Sequence, residues 1–269
     1  MAKENLKTDI YWVIGEATNC GKTTIASSLI RVLNTLSKKT IGFKPLAGIR
    51  FSESRDLLIN EIPFSECGMF GGDALKLCDA SPLSDRGMLD IINPTLLLFN
   101  NNLLETLLIR SGSNKLNNLV YYRDEFLEGF LKHDENKQVF KQALLPTKCP
   151  MRSDENVTHI ETAIETALEY ILALGPDAVV MEGAGPYLPV WAGSHFVKNI
   201  LLLIDGKIHF LKDINLKVNL KHNQKVHVKL FLRHLKIPKE KILSFPVTKV
   251  TPEKVEEYSN DLIKQILSA

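Results

Sequence analysis

Ten consecutive residues carry the plainest chemistry in this chain: Gly15-Glu16-Ala17-Thr18-Asn19-Cys20-Gly21-Lys22-Thr23-Thr24, a glycine-rich turn closed by Gly-Lys-Thr. Backbone N–H groups of such a turn, with the positive end of the helix behind it, hold phosphate oxygens. Lys22 is then expected to neutralise charge on the outer phosphates and the Thr23 hydroxyl to ligate Mg²⁺. The bland alternative is an ordinary βα turn with a lysine at the helix start. Context separates the two, because the motif needs an apolar strand before it and a helix after it. Residues 10–14 (Ile-Tyr-Trp-Val-Ile) read as a buried strand, and Ile25, Leu29, Val32, Leu33 and Leu36 recur at helical spacing.

The elements that must position this loop follow a βα rhythm. A second strand is expected over 40–43, a strand over 178–181, another over 199–204 and a shorter one over 242–245. Thr158-His-Ile-Glu161 reads as a capping box ahead of a stripe of Ile160, Ala163, Ile164, Ala167, Leu168, Ile171 and Leu172, stopped by Gly175-Pro176. A last helix is opened by Thr251-Pro252 and striped by Val255, Tyr258, Leu262, Ile263 and Ile266. Continuous apolar strands alternating with helices predict an α/β fold: a single P-loop NTPase-type domain over 1–269, its sheet largely parallel with helices on both faces. Residues 95–157, with Asn100-Asn-Asn102 and the polar 111–118 stretch, read as an enlarged irregular region.

Composition excludes several classes. At 269 residues and 45% hydrophobic the chain can bury a core, and a net charge of +2 argues for neither nucleic acid nor an anionic membrane as partner. The basic stretch 198–241 interleaves its charges with Leu, Ile and Val and has almost no aromatics for base stacking, so it reads as a solvated face. Cys20, Cys67, Cys78 and Cys149 form no CxxC pair, which indicates neither a zinc site nor a disulfide framework. No apolar signal core or membrane-length run is present, and a cytoplasmic location is the expectation.

The loop is unusual in having five residues, Glu16 to Cys20, between its glycines. With four further segments in order, it resembles dethiobiotin synthetase. Lys44-Pro45-Leu46-Ala47-Gly48 is similar to that family's Lys-Pro-Val-Ala-Ser-Gly, Gly72-Asp73-Ala74-Leu75 to its Ser-Asp-Ala-Leu helix start, and Ile92-Asn93-Pro94 to its Val-Asn-Pro. Glu182-Gly183-Ala184-Gly185, after an apolar run, is similar to its Glu-Gly-Ala-Gly turn. Departures are Asn19 where the family commonly has an acid, Gly48 in place of its serine, Pro186 in place of its second late glycine, and no clear strand ending in the adenine-reading Asn.

The resemblance implies an ATP-dependent, Mg²⁺-dependent carboxylation of 7,8-diaminopelargonic acid, using CO₂ or bicarbonate, through a carbamate that is phosphorylated and then closed to the ureido ring. It implies Lys22, Lys44 and Thr18 as catalytic residues. Nucleotide contacts fall to Gly15, Asn19, Cys20, Gly21, Lys22, Thr23, Thr24, Glu182, Gly185 and Pro246, and the metal to Thr23, Asp73 and Glu182. By residue type these last three are hard oxygen donors suited to Mg²⁺. A homodimer is implied as well. Competing readings stand beside three of them: Lys44 as an exposed strand end, Asp73 as a helix cap, and Asp205, which closes the apolar run 201–204, as the metal carboxylate instead of Glu182. A nucleotide-dependent switch or partner-binding protein that keeps the ATP site without the biotin-pathway substrate site is the other functional class.

Overall fold

A computed structural model describes residues 8–52, 70–101, 105–133, 154–185, 187–188, 197–213, 226–227, 242–248 and 252–268. The protein is a mixed α/β molecule whose chain divides into two compact units, one formed by residues 1–43, 80–83 and 172–269, the other by 44–79 and 84–171. Each has its own sheet.

In the first unit six strands lie side by side in the order 242–246, 207–211, 199–204, 9–15, 178–182 and 40–43. β1 (Asp9–Gly15), β2 (Thr40–Phe43), β7 (Ala178–Glu182) and β9 (Asn199–Ile204) are mutually parallel, while β10 (Lys207–Leu211) and β12 (Ile242–Pro246) add antiparallel to one edge. Every residue of β2, β7 and β9 is buried, as expected of parallel strands covered by other elements. The helix α1 (Lys22–Thr35) packs on β1, β2 and β7 and also against a C-terminal helix, Val255–Ser268. Its apolar stripe is the reason: Ile25, Leu29, Ile30, Val32 and Leu33 are buried, and each such side chain contributes about 1.5–3 kcal/mol. A short antiparallel pair, β8 (Tyr187–Leu188) with β11 (Val226–His227), completes the described strands of this unit.

β9 turns into β10 through Asp205-Gly206. Both residues have positive φ, 50° and 69°, and Ile204 pairs with Lys207 across them. This is the two-residue hairpin for which Asp-Gly is a preferred sequence. It takes part of the basic stretch into the sheet, with Ile208, Phe210 and Leu211 buried in β10, rather than leaving all of it on a solvated face.

The second unit holds a four-stranded sheet in sequential order: β3 (Leu46–Arg50), β4 (Thr95–Phe99), β5 (Thr106–Ser111) and β6 (Val120–Arg123), with only β3 and β4 parallel. This corrects the reading of 95–157 as irregular, at least over its described residues. Asn100 and Asn101 lie in the connection between β4 and β5, where Asn100 N–H donates to Glu105 O at 2.9 Å. The polar 111–118 stretch is the last residue of β5 and the β5–β6 turn, where Ser113 N–H donates to Asn118 Oδ1 at 2.8 Å. The sheet therefore departs from the largely parallel expectation. Ala47, Phe51, Leu96, Leu98, Leu107, Leu108, Tyr121 and Leu127 form its core, finished by an edge-on Phe51–Phe130 contact at 4.6 Å between ring centres.

Three more helices belong to this unit: α2 (Gly72–Ala80) apart from its last residue, α3 (Leu89–Ile92) and α4 (Glu125–Phe130). The long helix α5 (Asp154–Ala173) crosses the division near its end, and the C-terminal helix Val255–Ser268 is α6. In α5, Ala163, Ile164, Ala167, Leu168 and Ile171 are buried as the stripe predicts, and Gly175 at φ 67° ends it. The capping box is not its start. Helix begins at Asp154, so Thr158 lies one turn inside, its carbonyl accepting from Thr162 Oγ1 at 2.9 Å. Thr-x-x-Glu marks an N-terminus only where the preceding residues leave the helix, and here they continue it.

Candidate functional site

The loop between β1 and α1 has the strand-to-helix setting its sequence requires. Gly15 closes β1 where the chain folds back: a Cβ there would overlap Cys20 Sγ and stand 3.2 Å from Lys22 Cγ. Asn19 at φ 60° and Gly21 at φ 91° bend the loop with left-handed backbone on either side of Cys20. Gly21 sits at the N-cap of α1 with no side-chain cap, and the first turn contains no acidic residue. Helix N–H groups that no side chain of their own helix caps, next to alternating backbone handedness, form a concavity suited to an anion. Thr18 and Asn19 are exposed on the crest of the loop, and Gly21, Thr23 and Thr24 are half-buried at the helix start.

Lys22 does not extend into solvent. It is 5% exposed, and its Nζ donates to Ala17 O at 2.5 Å and lies 3.7 Å from Cys20 Sγ, so the ammonium spans its own loop. Thr23 Oγ1 donates to Glu182 Oε1 at 2.9 Å. Glu182 ends β7 and is 1% exposed, and the following Gly183 N–H donates to Val13 O at 2.9 Å, which ties the β7 turn to β1 beside the loop. Gly185 continues that turn at φ 60°. Loop lysine, helix-start hydroxyl and buried carboxylate are thus assembled within the first unit from two segments, with Thr23 and Glu182 159 residues apart.

Asp205 is the competing carboxylate. It is the first residue of the β9–β10 hairpin, exposed, and its N–H donates to Glu16 Oε1 at 2.8 Å. The sequence pattern of an apolar strand followed by an acid is met here by a turn residue. Glu16 N–H also donates to Leu203 O at 3.0 Å, so the start of the loop is moored to β9.

Beside the loop lies a pocket of about 320 Å³, which residue patterns did not reveal. Cys20, Gly21 and Thr24 form its loop side, and Leu203, Val247 and Tyr258 are among its other walls. Pro246, the last residue of β12, accepts from Tyr258 Oη at 3.4 Å, and the same hydroxyl accepts from Thr248 N–H at 2.8 Å. Val247 and Thr248 follow Pro246 directly into the wall. The pocket brings together the loop, the β9–β10 hairpin, the β12 end and α6, so no local signal could announce it.

Lys44 and Asp73 lie in the second unit. Lys44 Nζ and Asp73 Oδ2 form an ion pair at 3.2 Å, with the lysine side chain 5% exposed and the carboxylate side chain 46%. Asp73 occupies the first turn of α2, where a negative charge is favourable. Of the three metal candidates, Thr23 and Glu182 touch each other, and Asp73 is paired with Lys44. Among the described residues no three or more His, Cys, Asp or Glu side chains cluster as a metal site. Pro186 lies outside the described residues. No helix among them is long and apolar enough to cross a membrane. No protein-family model matches the chain, and no curated protein matches it by sequence.

Proposed function

We propose that this protein is a Mg²⁺-dependent, ATP-using enzyme of the dethiobiotin synthetase type, built on a P-loop NTPase domain. The observation that carries the nucleotide half is the loop assembly: Lys22 folded back across its own loop, beside a helix start with no side-chain cap, and the Thr23 hydroxyl on the buried Glu182 carboxylate. A triphosphate entering the loop accepts from the backbone N–H groups at the start of α1. Lys22 then exchanges a neutral carbonyl, Ala17 O, for an anionic oxygen, a stronger partner. Thr23 and Glu182 are adjacent hard oxygen donors that fit Mg²⁺, an ion commonly held by one or two carboxylates with substrate phosphates and water; it would supply charge neutralisation on the phosphates. The pocket walled by Leu203, Val247 and Tyr258 suits the base of the nucleotide, and Pro246 leads into its wall.

The substrate half rests on the resemblance of the Lys44 and Thr18 segments. One amine of 7,8-diaminopelargonic acid takes up CO₂ as a carbamate. A carbamate oxygen attacks the γ-phosphorus of ATP and ADP departs; the second amine then attacks the carbamoyl carbon and phosphate leaves as the ureido ring closes. By the resemblance, Lys44 stabilises negative charge on the carbamate and Thr18 contacts it. The proposal includes a homodimer working in the cytoplasm.

The deciding experiment incubates purified protein with Mg²⁺, ATP, bicarbonate and diaminopelargonic acid and looks for dethiobiotin by mass spectrometry. Product formation supports the assignment. If the diamine neither binds nor stimulates phosphate release, with or without bicarbonate, the substrate assignment fails while the nucleotide site stands.

A further inference from the structure

The second unit contains a run of buried polar contacts behind Lys44 that the reaction scheme does not use. Asn93 is fully buried. Its Nδ2 donates to Lys44 O at 3.0 Å and to Thr95 O at 2.8 Å, and its Oδ1 accepts from Gly71 N–H at 3.5 Å. Two partners are carbonyls and one is an N–H, so a single orientation of the amide serves all three. Lys44 N–H donates to Ile92 O at 2.7 Å, which holds both ends of the Lys44 main chain against the Ile92-Asn93 pair. The Asn93 carbonyl in turn accepts from Nη2 of the wholly buried Arg110, whose Nη1 reaches Gly112 O at 3.0 Å.

An asparagine that merely ended α3 before Pro94 would bond within its own turn. This one reaches Lys44, forty-nine residues away, and Gly71, twenty-two away. Gly71 immediately precedes α2 and packs closely on β3: a Cβ on it would stand 3.2 Å from that of Ala47. Two residues further on is Asp73, the partner of Lys44 Nζ. The same side-chain amide therefore joins the main chain of Lys44 to the helix start carrying its counter-ion.

We propose that Asn93 is a positioning residue for Lys44, fixing where its ammonium is held by tying its peptide to the start of α2. The inference rests on the role given to Lys44 above, but its test does not require turnover. In the full-length protein, the acetylation rate of each lysine is measured by peptide mass spectrometry with an amine-reactive acetyl ester. Lys44, almost fully covered and ion-paired, reacts slowly in the wild type. Asn93→Ala should accelerate Lys44 roughly tenfold, the size expected from losing hydrogen bonds of ordinary strength, while Lys22 in the other unit keeps its rate. Asp73→Asn should accelerate Lys44 similarly, and the double variant should add little, because both changes release the same group. An unchanged Lys44 rate in folded Asn93→Ala overturns the proposal, as does full additivity with Asp73→Asn. If Asn93→Ala unfolds, so that all lysines react together, Gly71→Ala decides: its Cβ, 3.2 Å from that of Ala47, strains the contact between the start of α2 and β3, and an unchanged Lys44 rate in that variant refutes the linkage. Absence of diamine-stimulated phosphate release in the wild type would count against the proposed reaction and leave the labelling result standing.

Discussion

Glu182→Gln separates the chemistry of a buried carboxylate from its packing. The side chain is 1% exposed and accepts from Thr23 Oγ1 at 2.9 Å, and Gln has the same shape and can still accept that hydrogen bond through its Oε1. Burial disfavours the charge that Gln removes and the retained shape keeps the packing, so the variant should stay folded with a melting temperature close to that of the wild type. Its nucleotide chemistry should not be spared. A neutral amide is a poor ligand for Mg²⁺, and loss of a principal electrostatic group at a reacting phosphate is worth about 100-fold in turnover, or about 2.7 kcal/mol. Asp205→Asn is the matched control: at φ 50° in the first position of a hairpin turn, Asn is as well accommodated as Asp, and the Asp205 N–H bond to Glu16 is retained. Magnesium titrations of phosphate release, with thermal melts of both variants, read the two effects together. Wild-type magnesium dependence in folded Glu182→Gln, or a larger loss in Asp205→Asn, would refute the assignment of the metal carboxylate.

Lys22→Ala should weaken ATP binding by about 10- to 100-fold, the worth of a charge-assisted hydrogen bond, as measured by calorimetry; unchanged affinity in a folded variant defeats the loop assignment. Lys44→Ala should leave most of the ATP affinity and collapse diamine-stimulated phosphate release if the protein phosphorylates a carbamate, whereas a switch would keep both binding and slow basal hydrolysis. Stability should fall on acidification. Burial lowers the pKa of His159, and burial followed by the neighbouring Lys207 lowers that of His209, against a smaller opposing pull from Asp205. The unfolded chain then binds the extra protons, so the contribution is complete above the ordinary histidine value of about 6.5 and is lost as pH drops through the folded values. Melts between pH 8 and 5 should show this loss, and the paired change of both histidines to Gln should flatten it.

The local parts of this protein were legible as residues. Apolar runs at 10–14, 178–181 and 199–204 are strands, the spacing of Ile25, Leu29, Val32 and Leu33 is the buried face of α1, and Gly15 to Thr24 joins strand to helix, because each depends on contacts close in sequence or on a repeating period. Short apolar runs such as 95–99 carry no period that distinguishes strand from helix, so the second sheet became visible only through its partners. The same holds for charge. A carboxylate after an apolar strand looks identical at 182 and at 205, yet one is buried against Thr23 and the other turns a hairpin. Which carboxylate meets Thr23, that Asp73 is held by Lys44, and that Asn93 joins them are decided by pairings across tens of residues, which tertiary packing alone selects.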